Sequence, residues 1–312
     1  MKNILLLLIL FCFGSCFKGK RSDHAAERMQ EFVINISNYT RGIDPGFIII
    51  PQNGAELAFT NSSPDEGLHA SYMAAIDGVG IEELFYNGTY IPDEERISML
   101  RKIAVTKKIM VSEFVSDNNT VADAIAKNES EGFICFPREN NNYDYLYIPS
   151  VIPNENTSDI TSLDMVQNYL YMISTDNYSS KESMITAIEN TNFDLILIDL
   201  FFEDSELSAA DVSRMKTKAN GGQRLVISYI SIGSAEKFRY YWKKGWGHHH
   251  PLFLKRKYEG YEDEFWVKFW KKDWQEIIYG NDDSYMKKIL NAGFDGAYLD
   301  NVEAYYFLYY KD

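Results

Sequence analysis

Several acids in this chain stand at the ends of short apolar runs, where an α/β protein gathers its chemistry. Asp199 closes Leu195-Ile196-Leu197-Ile198 and has no further polar neighbour until Glu203. Ser231 and Glu236 stand at and just beyond the end of the run 224–232, and Asp300, Asn301 and Glu303 mark the end of the run 296–300. Gln52 and Asn53 end the run 47–52, and Glu113 and Asp117 end the run 109–115. Asp77 joins this set if the long stretch 70–88 folds over the same mouth. Convergent carboxylates raise one another's pKa and persist where they are solvated, paired or used. Glycoside hydrolysis uses such a set: one carboxylic acid protonates the leaving oxygen, and one carboxylate serves as nucleophile or base. For Glu113, Asp117 and Glu303 a loop cap, a helix N-cap or a salt bridge is an equally good account. Asp199, inside an apolar strand, has fewer structural uses.

The elements that must position these residues follow one grammar, a β-branched run, a loop with an acidic or amide residue at its start, then an amphipathic stretch. The runs are 47–52, 109–115, 132–137, 169–174, 194–201, 224–232, 265–270 and 296–300. Near-continuous apolar character is what strands covered on both faces by crossover helices require. Helical patterns at 93–104, 120–131, 181–189, 209–218 and 284–292 intervene. The expected fold is α/β, a single (β/α)8 TIM barrel spanning 24–312, whose active residues sit at the carboxyl ends of the strands. An N-terminal helix at 24–39, with Met29, Phe32, Val33 and Ile36 on one face, either covers the gap between last and first strands or caps the barrel floor. Residues 302–310 leave only a shortened C-terminal helix.

Residues 1–15 read as a secretory signal: Met1-Lys2 precede an apolar run from Ile4 to Phe11 that is too short to span a bilayer. Phe13-Gly14-Ser15-Cys16 resembles a bacterial lipoprotein cleavage site, which makes Cys16 the lipidated, palmitate-bearing first residue of a membrane-anchored exported protein. Residues 16–23 then form a basic tether suited to an anionic lipid surface. Of the three cysteines only Cys135 remains in the body, within Phe133-Ile134-Cys135-Phe136, where it reads as a small buried hydrophobe. The chain carries 31 Lys+Arg against 45 Asp+Glu, a net charge of −14, which argues against nucleic acid as a partner. The three adjacent histidines His248-His249-His250 cannot all face one ion, so no metal is expected, and no phosphate-binding or dinucleotide motif implies a cofactor.

Six segments closely resemble the endo-α-1,4-polygalactosaminidase glycoside hydrolases, glycoside hydrolase family 114, and their extracellular bacterial relatives. They are FIIIPQNGAEL at 47–57, AIDGVGIEELFY at 75–86, FDLILIDLF at 193–201, GGQRLVISYISIGSAEKFRYYW at 221–242, FWVKFWKKDW at 265–274 and SYMKKILNAGFDGAYLDNVEAY at 284–305. The resemblance implies a TIM barrel in which Asp199, Glu236 and Asp300 face an amino-sugar polysaccharide, with Gln52, Asp77, Tyr229, Ser231, Arg239 and Asn301 lining the site. Within that set the expected roles are nucleophile or stabilising carboxylate for Asp199, general acid/base for Glu236 and orientation of the sugar for Asp300. Two positions depart from the family, where Glu is common in place of Ser234 and an acid in place of Lys271. An alternative is a non-catalytic surface lipoprotein that uses the same groove to hold a glycan or a protein partner.

Overall fold

The computed structural model describes residues 24–115, 117–138, 143 and 145–308, so the expected signal peptide, Cys16 and the tether lie outside the described residues. The strands in chain order are β1 (Ile48–Pro51), β2 (Gly78–Tyr90), β3 (Lys108–Val115), β4 (Ile134–Arg138), β5 (Tyr169–Tyr171), β6 (Leu195–Asp199) and β7 (Phe201–Phe202). They continue with β8 (Ser205–Glu206), β9 (Leu225–Ser231), β10 (Ser234–Glu236), β11 (Leu254–Tyr258), β12 (Tyr261–Val267) and β13 (Gly296–Asp300). A five-stranded parallel sheet runs in the order β1-β13-β9-β6-β5, and β2, β3 and β4 form a second parallel sheet. Every residue of β6 and β9 is buried, as strands covered on both faces require.

The two sheets meet at β1 and β2 through the parallel bridge of Gln52 with Gly80, where Asn53 N–H donates to the Gly80 carbonyl at 2.7 Å. A Cβ at Gly80 would lie 1.9 Å from the Tyr298 hydroxyl oxygen, so only glycine lets the β13 tyrosine lie against this strand. At the other edge β4 and β5 meet through side chains, with the Phe136 and Tyr169 rings 5.6 Å apart. The fold is thus α/β, with parallel sheets of five and three strands joined at one edge by the bridge of Gln52 with Gly80, whereas ladders closing a complete ring are absent among the described residues.

One strand assignment is corrected. The run 265–270 is not a parallel strand: β12 ends at Val267 and lies antiparallel between β10 and β11. The missing parallel strand is β2, inside the stretch expected to fold over the mouth. Its alternation is broken at Glu82–Asn87 by a bulge, where Glu83 takes a φ of 55°. The helices fall close to expectation: α3 (Glu94–Ile103), α4 (Asn118–Ser130), α5 (Lys181–Glu189), α6 (Ala209–Met215) and α8 (Tyr285–Asn291) follow the amphipathic stretches. Helix α1 (24–43) buries Met29, Phe32, Val33 and Ile36. Phe32 stacks on Phe269 with centroids 6.4 Å apart, while Gln30 Nε2 donates to the Leu57 and Phe59 carbonyls at 2.7 and 3.0 Å. The helix therefore spans from the 269–279 segment to the turns after β1, rather than standing as a floor cap alone. The final helix is a stub, Ala304–Phe307.

At the amino ends of the strands each key acid has a cation. Asp77 accepts from Arg41 Nη2 and from Ile49 N–H, both at 2.7 Å; Asp194 and Lys218 form a fully buried pair at 2.6 Å; Asp295 pairs with Lys216 at 2.6 Å. Asp77 thus secures the floor and does not line the substrate cleft, contrary to the expectation. Glu113 and Asp117 also prove structural. Asp117 caps α4, accepting from the N–H groups of Asn119 and Thr120. Buried Glu113 accepts the Leu84, Phe85 and Tyr86 N–H groups at 3.0–3.2 Å, which the β2 bulge strips of ladder partners, and Asn128 Nδ2 at 2.9 Å. Glu113→Ala orphans these buried donors, so urea unfolding is expected to show a loss of roughly 3 kcal/mol or more; a loss below about 1 kcal/mol would show that the bulge does not depend on this carboxylate.

Candidate active site

At the carboxyl ends of the strands the balance of charge reverses. A cleft of about 810 Å³ opens there, and among the described residues eight carboxylic acids and one cation, Arg239, line it. Asp199 ends β6, and Glu236 ends β10, a short extension reached from β9 through Ile232 and Gly233. A Cβ at Gly233 would sit 1.9 Å from the Asn301 carbonyl oxygen, so the turn requires glycine to bring β10 against the end of β13.

Arg239 is 7% exposed and joins the first two acids. Its Nη1 and Nη2 donate to Asp199 Oδ1 and Oδ2 at 2.8 and 2.6 Å, a bidentate pair, and Phe201 N–H adds a third donor at 2.8 Å. Its Nε donates to Glu236 Oε2 at 2.6 Å and Nη2 to Glu236 Oε1 at 3.3 Å. Burial pushes the Glu236 carboxyl up against the lowering effect of Arg239. The flanking carboxylates hold the guanidinium well above its usual range against the opposing effect of burial.

Asp300, at the end of β13, accepts from the Tyr229 hydroxyl at 2.5 Å and from Asn301 N–H at 2.6 Å. Desolvation raises it to about 7 against the Tyr229 bond, and Glu82 and Glu236 push the same way. Asn301 Nδ2 donates to Ser231 Oγ at 3.0 Å, and Asn301 Oδ1 accepts from Tyr258 at 3.1 Å. Gln52 Oε1 accepts from the Tyr171 hydroxyl at 3.1 Å. Asp199, Glu236, Asp300, Gln52, Tyr229, Arg239 and Asn301 therefore converge on the cleft, Ser231 supports it from below, and Asp77 is absent from it.

Glu82, Asp176, Glu203 and Glu264 also line the cleft and escaped the sequence reading, and two of them bear on its chemistry. Glu264 lies on β12 directly opposite Glu236, an arrangement that is unfavourable for two charges. Burial first, and then Glu236, pushes Glu264 to about 8, while Ser234 Oγ donates to it at 3.0 Å. The small side chain at 234 thus hydrogen-bonds a carboxyl supplied by the neighbouring strand. Glu82, on β2, accepts from the Tyr145 hydroxyl at 2.6 Å and Asn53 Nδ2 at 3.3 Å. Glu264 stands one residue before the apolar run that the sequence reading began at Phe265, in the acidic stretch Glu262-Asp263-Glu264, and was therefore left out of the strand. Lys271, the other departure, lies exposed at the N-cap of α7 (Lys272–Ile278).

Residues 169–312, from β5 onward, match the sequence profile described as glycoside-hydrolase family GH114. Over these residues the chain is similar to glycoside-hydrolase family GH114. Asp199, Glu236, Glu264 and Asp300 all fall within the GH114 region, whereas Gln52 and Glu82 come from the preceding part. The chain is 33% identical over 153 residues to an uncharacterised protein of Methanocaldococcus jannaschii, covering 48% of this chain and 41% of that one. It is 32% identical over 125 residues to an uncharacterised protein of Deinococcus radiodurans, covering 40% and 38%, and 28% identical over 128 residues to one of Thermotoga maritima, covering 41% and 38%. The matches span about two fifths of each curated relative's length.

The elevated Asp300 gives a stability test. An unfolded Asp releases its proton near 3.9 and the folded one near 7, so the native state binds more protons between these values and stability falls as pH rises through this window. Asp300→Asn removes that slope. Urea unfolding across pH 4.5 to 8 is expected to show the variant gaining on the parent by up to roughly 4 kcal/mol; a pH-independent difference would show that Asp300 is not held protonated.

Proposed function

We propose that the protein is an exported, lipid-anchored glycoside hydrolase that cleaves an amino-sugar polysaccharide bearing free ammonium groups. The observation that carries this reading is the cleft itself, with eight acids against one cation whose hydrogen-bonding edges are already taken by Asp199 and Glu236. Such a surface attracts a cationic polymer and repels a uronic-acid polymer. Phe238, 59% exposed, and Tyr261, 42% exposed, offer flat faces on which sugar rings stack. The order of the parallel strands supports closure of the sheets into the family's TIM barrel. Anchoring through Cys16 rests on the signal sequence; no helix among the described residues is long and apolar enough to cross a membrane.

Nη2 of Arg239 touches Asp199 Oδ2 at 2.6 Å and Glu236 Oε1 at 3.3 Å, which limits these oxygens to about 6 Å apart, on the retaining side of the glycosidase range. In this reading Glu236 gives its proton to the leaving oxygen as Asp199 attacks the anomeric carbon and the glycosidic bond breaks. Glu236 then takes a proton from water, whose oxygen displaces Asp199 from the sugar. Glu264, opposite Glu236, favours its protonated form by like-charge repulsion and is a second acid able to serve the leaving group; Asp300 orients the sugar. The locking of both principal acids by Arg239 favours one competing reading, a groove that binds glycan without cleaving it.

Incubation with partly deacetylated α-1,4-galactosaminide polymer is expected to give shorter oligomers at a rate that falls with salt, as charge attraction is screened. Asp199→Asn and Glu236→Gln are each expected to lose about 10²-fold or more in rate, and to lower stability as well because each deprives the buried Arg239 of a charged partner, whereas Glu264→Gln shifts the alkaline limb of the pH profile. Binding of the polymer without any cleavage by the parent would establish the binding reading, and parental rates in either of the first two variants would remove its assigned role.

A further inference from the structure

In a chain of net charge −14, residues 241–258 contain Lys243, Lys244, Lys255, Arg256 and Lys257 and no acid. The fold adds Lys268 and Lys271 to this face. Lys268 N–H donates to the Phe253 carbonyl at 2.7 Å and Lys271 N–H to the Lys268 carbonyl at 2.8 Å, while Leu254, next to Lys255, lies opposite Val267, so the three cations share one neighbourhood; burial first, and then Lys255 and Lys271, hold the Lys268 ammonium below its ordinary value. His249 is lowered by desolvation and then by His248, Lys268 and Lys255. Among the described residues none of Lys243, Lys244, Lys255, Lys268 and Lys271 has a carboxylate at ion-pair distance.

An apolar side chain stands among these charges. Leu252 is 69% exposed although its neighbours Phe253 and Leu254 are buried, and Lys268 Nζ donates to the Leu252 carbonyl at 3.1 Å. Half-buried Trp246 packs edge-on against Trp242 and Phe253, with centroids 5.4 and 5.3 Å away. An exposed leucine beside tryptophan, with unpaired lysines about it, matches the boundary between acyl chains and anionic headgroups.

The start of α1 lies beside the same face. Arg28 stands 5.3 Å over the Trp270 ring, next to Lys271, and Phe32 stacks on Phe269. A lipid on Cys16 would be joined to residue 24 by eight residues, which reach at most about 28 Å when fully extended. The β11–β12 hairpin carries Leu254 and Val267 at this end and the cleft residues Tyr258 and Tyr261 at the other, so a surface seated on Leu252 leaves the cleft open.

We propose that the face centred on Leu252, with Lys255, Lys268 and Lys271 about it and Lys243 and Lys244 on the turn that leads to Trp246, docks on an anionic lipid surface. Leu252 enters the interface and the lysines meet lipid phosphates. The nearness of the tether rests on the lipid-anchor reading, while the charge and the exposed leucine do not.

The test uses the processed protein carrying Leu252→Cys with an environment-sensitive fluorophore; buried Cys135 does not react. Vesicles containing phosphatidylglycerol are expected to shift the emission to the blue and protect the label from iodide, an effect reversed by salt and absent with phosphatidylcholine alone. Lys243→Glu/Lys244→Glu/Lys255→Glu is expected to weaken the response at least tenfold, with its melting curve reported alongside; the salt reversal in the parent serves if that variant does not fold. The same fluorophore on Val105→Cys, 79% exposed on the β2–β3 connection, is expected to stay in water. An unchanged Leu252 label on phosphatidylglycerol vesicles overturns the proposal, as does a Val105 label that responds more strongly. A shift that follows protein concentration without vesicles overturns it in favour of contact between copies of the chain. Mass spectrometry of the N-terminus reads lipidation separately, so an unlipidated protein that still responds rejects the anchor and keeps the docking face.

Discussion

One buried guanidinium organises the upper end of this molecule. Arg239 lies between Asp199 from β6 and Glu236 from β10, and each contributes a carboxylate that would be intolerable there without it. Removing one partner from a buried ion pair is strongly destabilising because the charge left behind has no solvent to replace the lost contact. The arrangement therefore fixes both the position and the spacing of the two acids before any substrate arrives, which is the preorganisation that acid/base chemistry needs. It also leaves an excess of negative charge, since one cation cannot neutralise Asp199, Glu236, Glu264 and Asp300 together. Burial first, and this excess of negative charge after it, raises the carboxyls of Glu264 and Asp300.

The two ends of the strands divide the work. At the amino ends Asp77, Asp194 and Asp295 meet Arg41, Lys218 and Lys216, and charges are matched one for one. At the carboxyl ends acids face each other across β10 and β12, where an apolar pair would be more stable. Natural folds tolerate such conflict at functional sites and offset it elsewhere. The Glu113 carboxylate, which gathers three N–H groups of the β2 bulge, belongs to the supporting class although it lies on a strand leading to the cleft.

Much of this was legible in the sequence because strand ends are local features. Asp199 and Asp300 stood out as acids terminating apolar runs, Glu236 followed its strand within a few residues, and the amphipathic helices kept their 3.6-residue period. What failed was non-local. Gly78–Tyr90 looked like a loop because its bulge breaks the alternation, and the carboxylate that repairs the bulge comes from another strand. Asp77 was consequently assigned to the mouth when it begins a strand at the floor. Glu264 was invisible for a related reason: its importance arises from an antiparallel register with Glu236, which no spacing along the chain expresses. The departure at Ser234 has its counterpart in the same register, since the carboxyl hydrogen-bonded to it comes from β12.

The central claim is that Arg239 holds Asp199 and Glu236 at the separation of a retaining pair. The most direct measurement is proton NMR of the anomeric region during the first turnovers of an α-1,4-galactosaminide oligomer, before mutarotation mixes the products. The α-anomer is the expected first product, because two displacements at the anomeric carbon restore its configuration. Initial release of the β-anomer would mean that water attacks directly across a wider gap, and would contradict the role given to the Arg239 clamp.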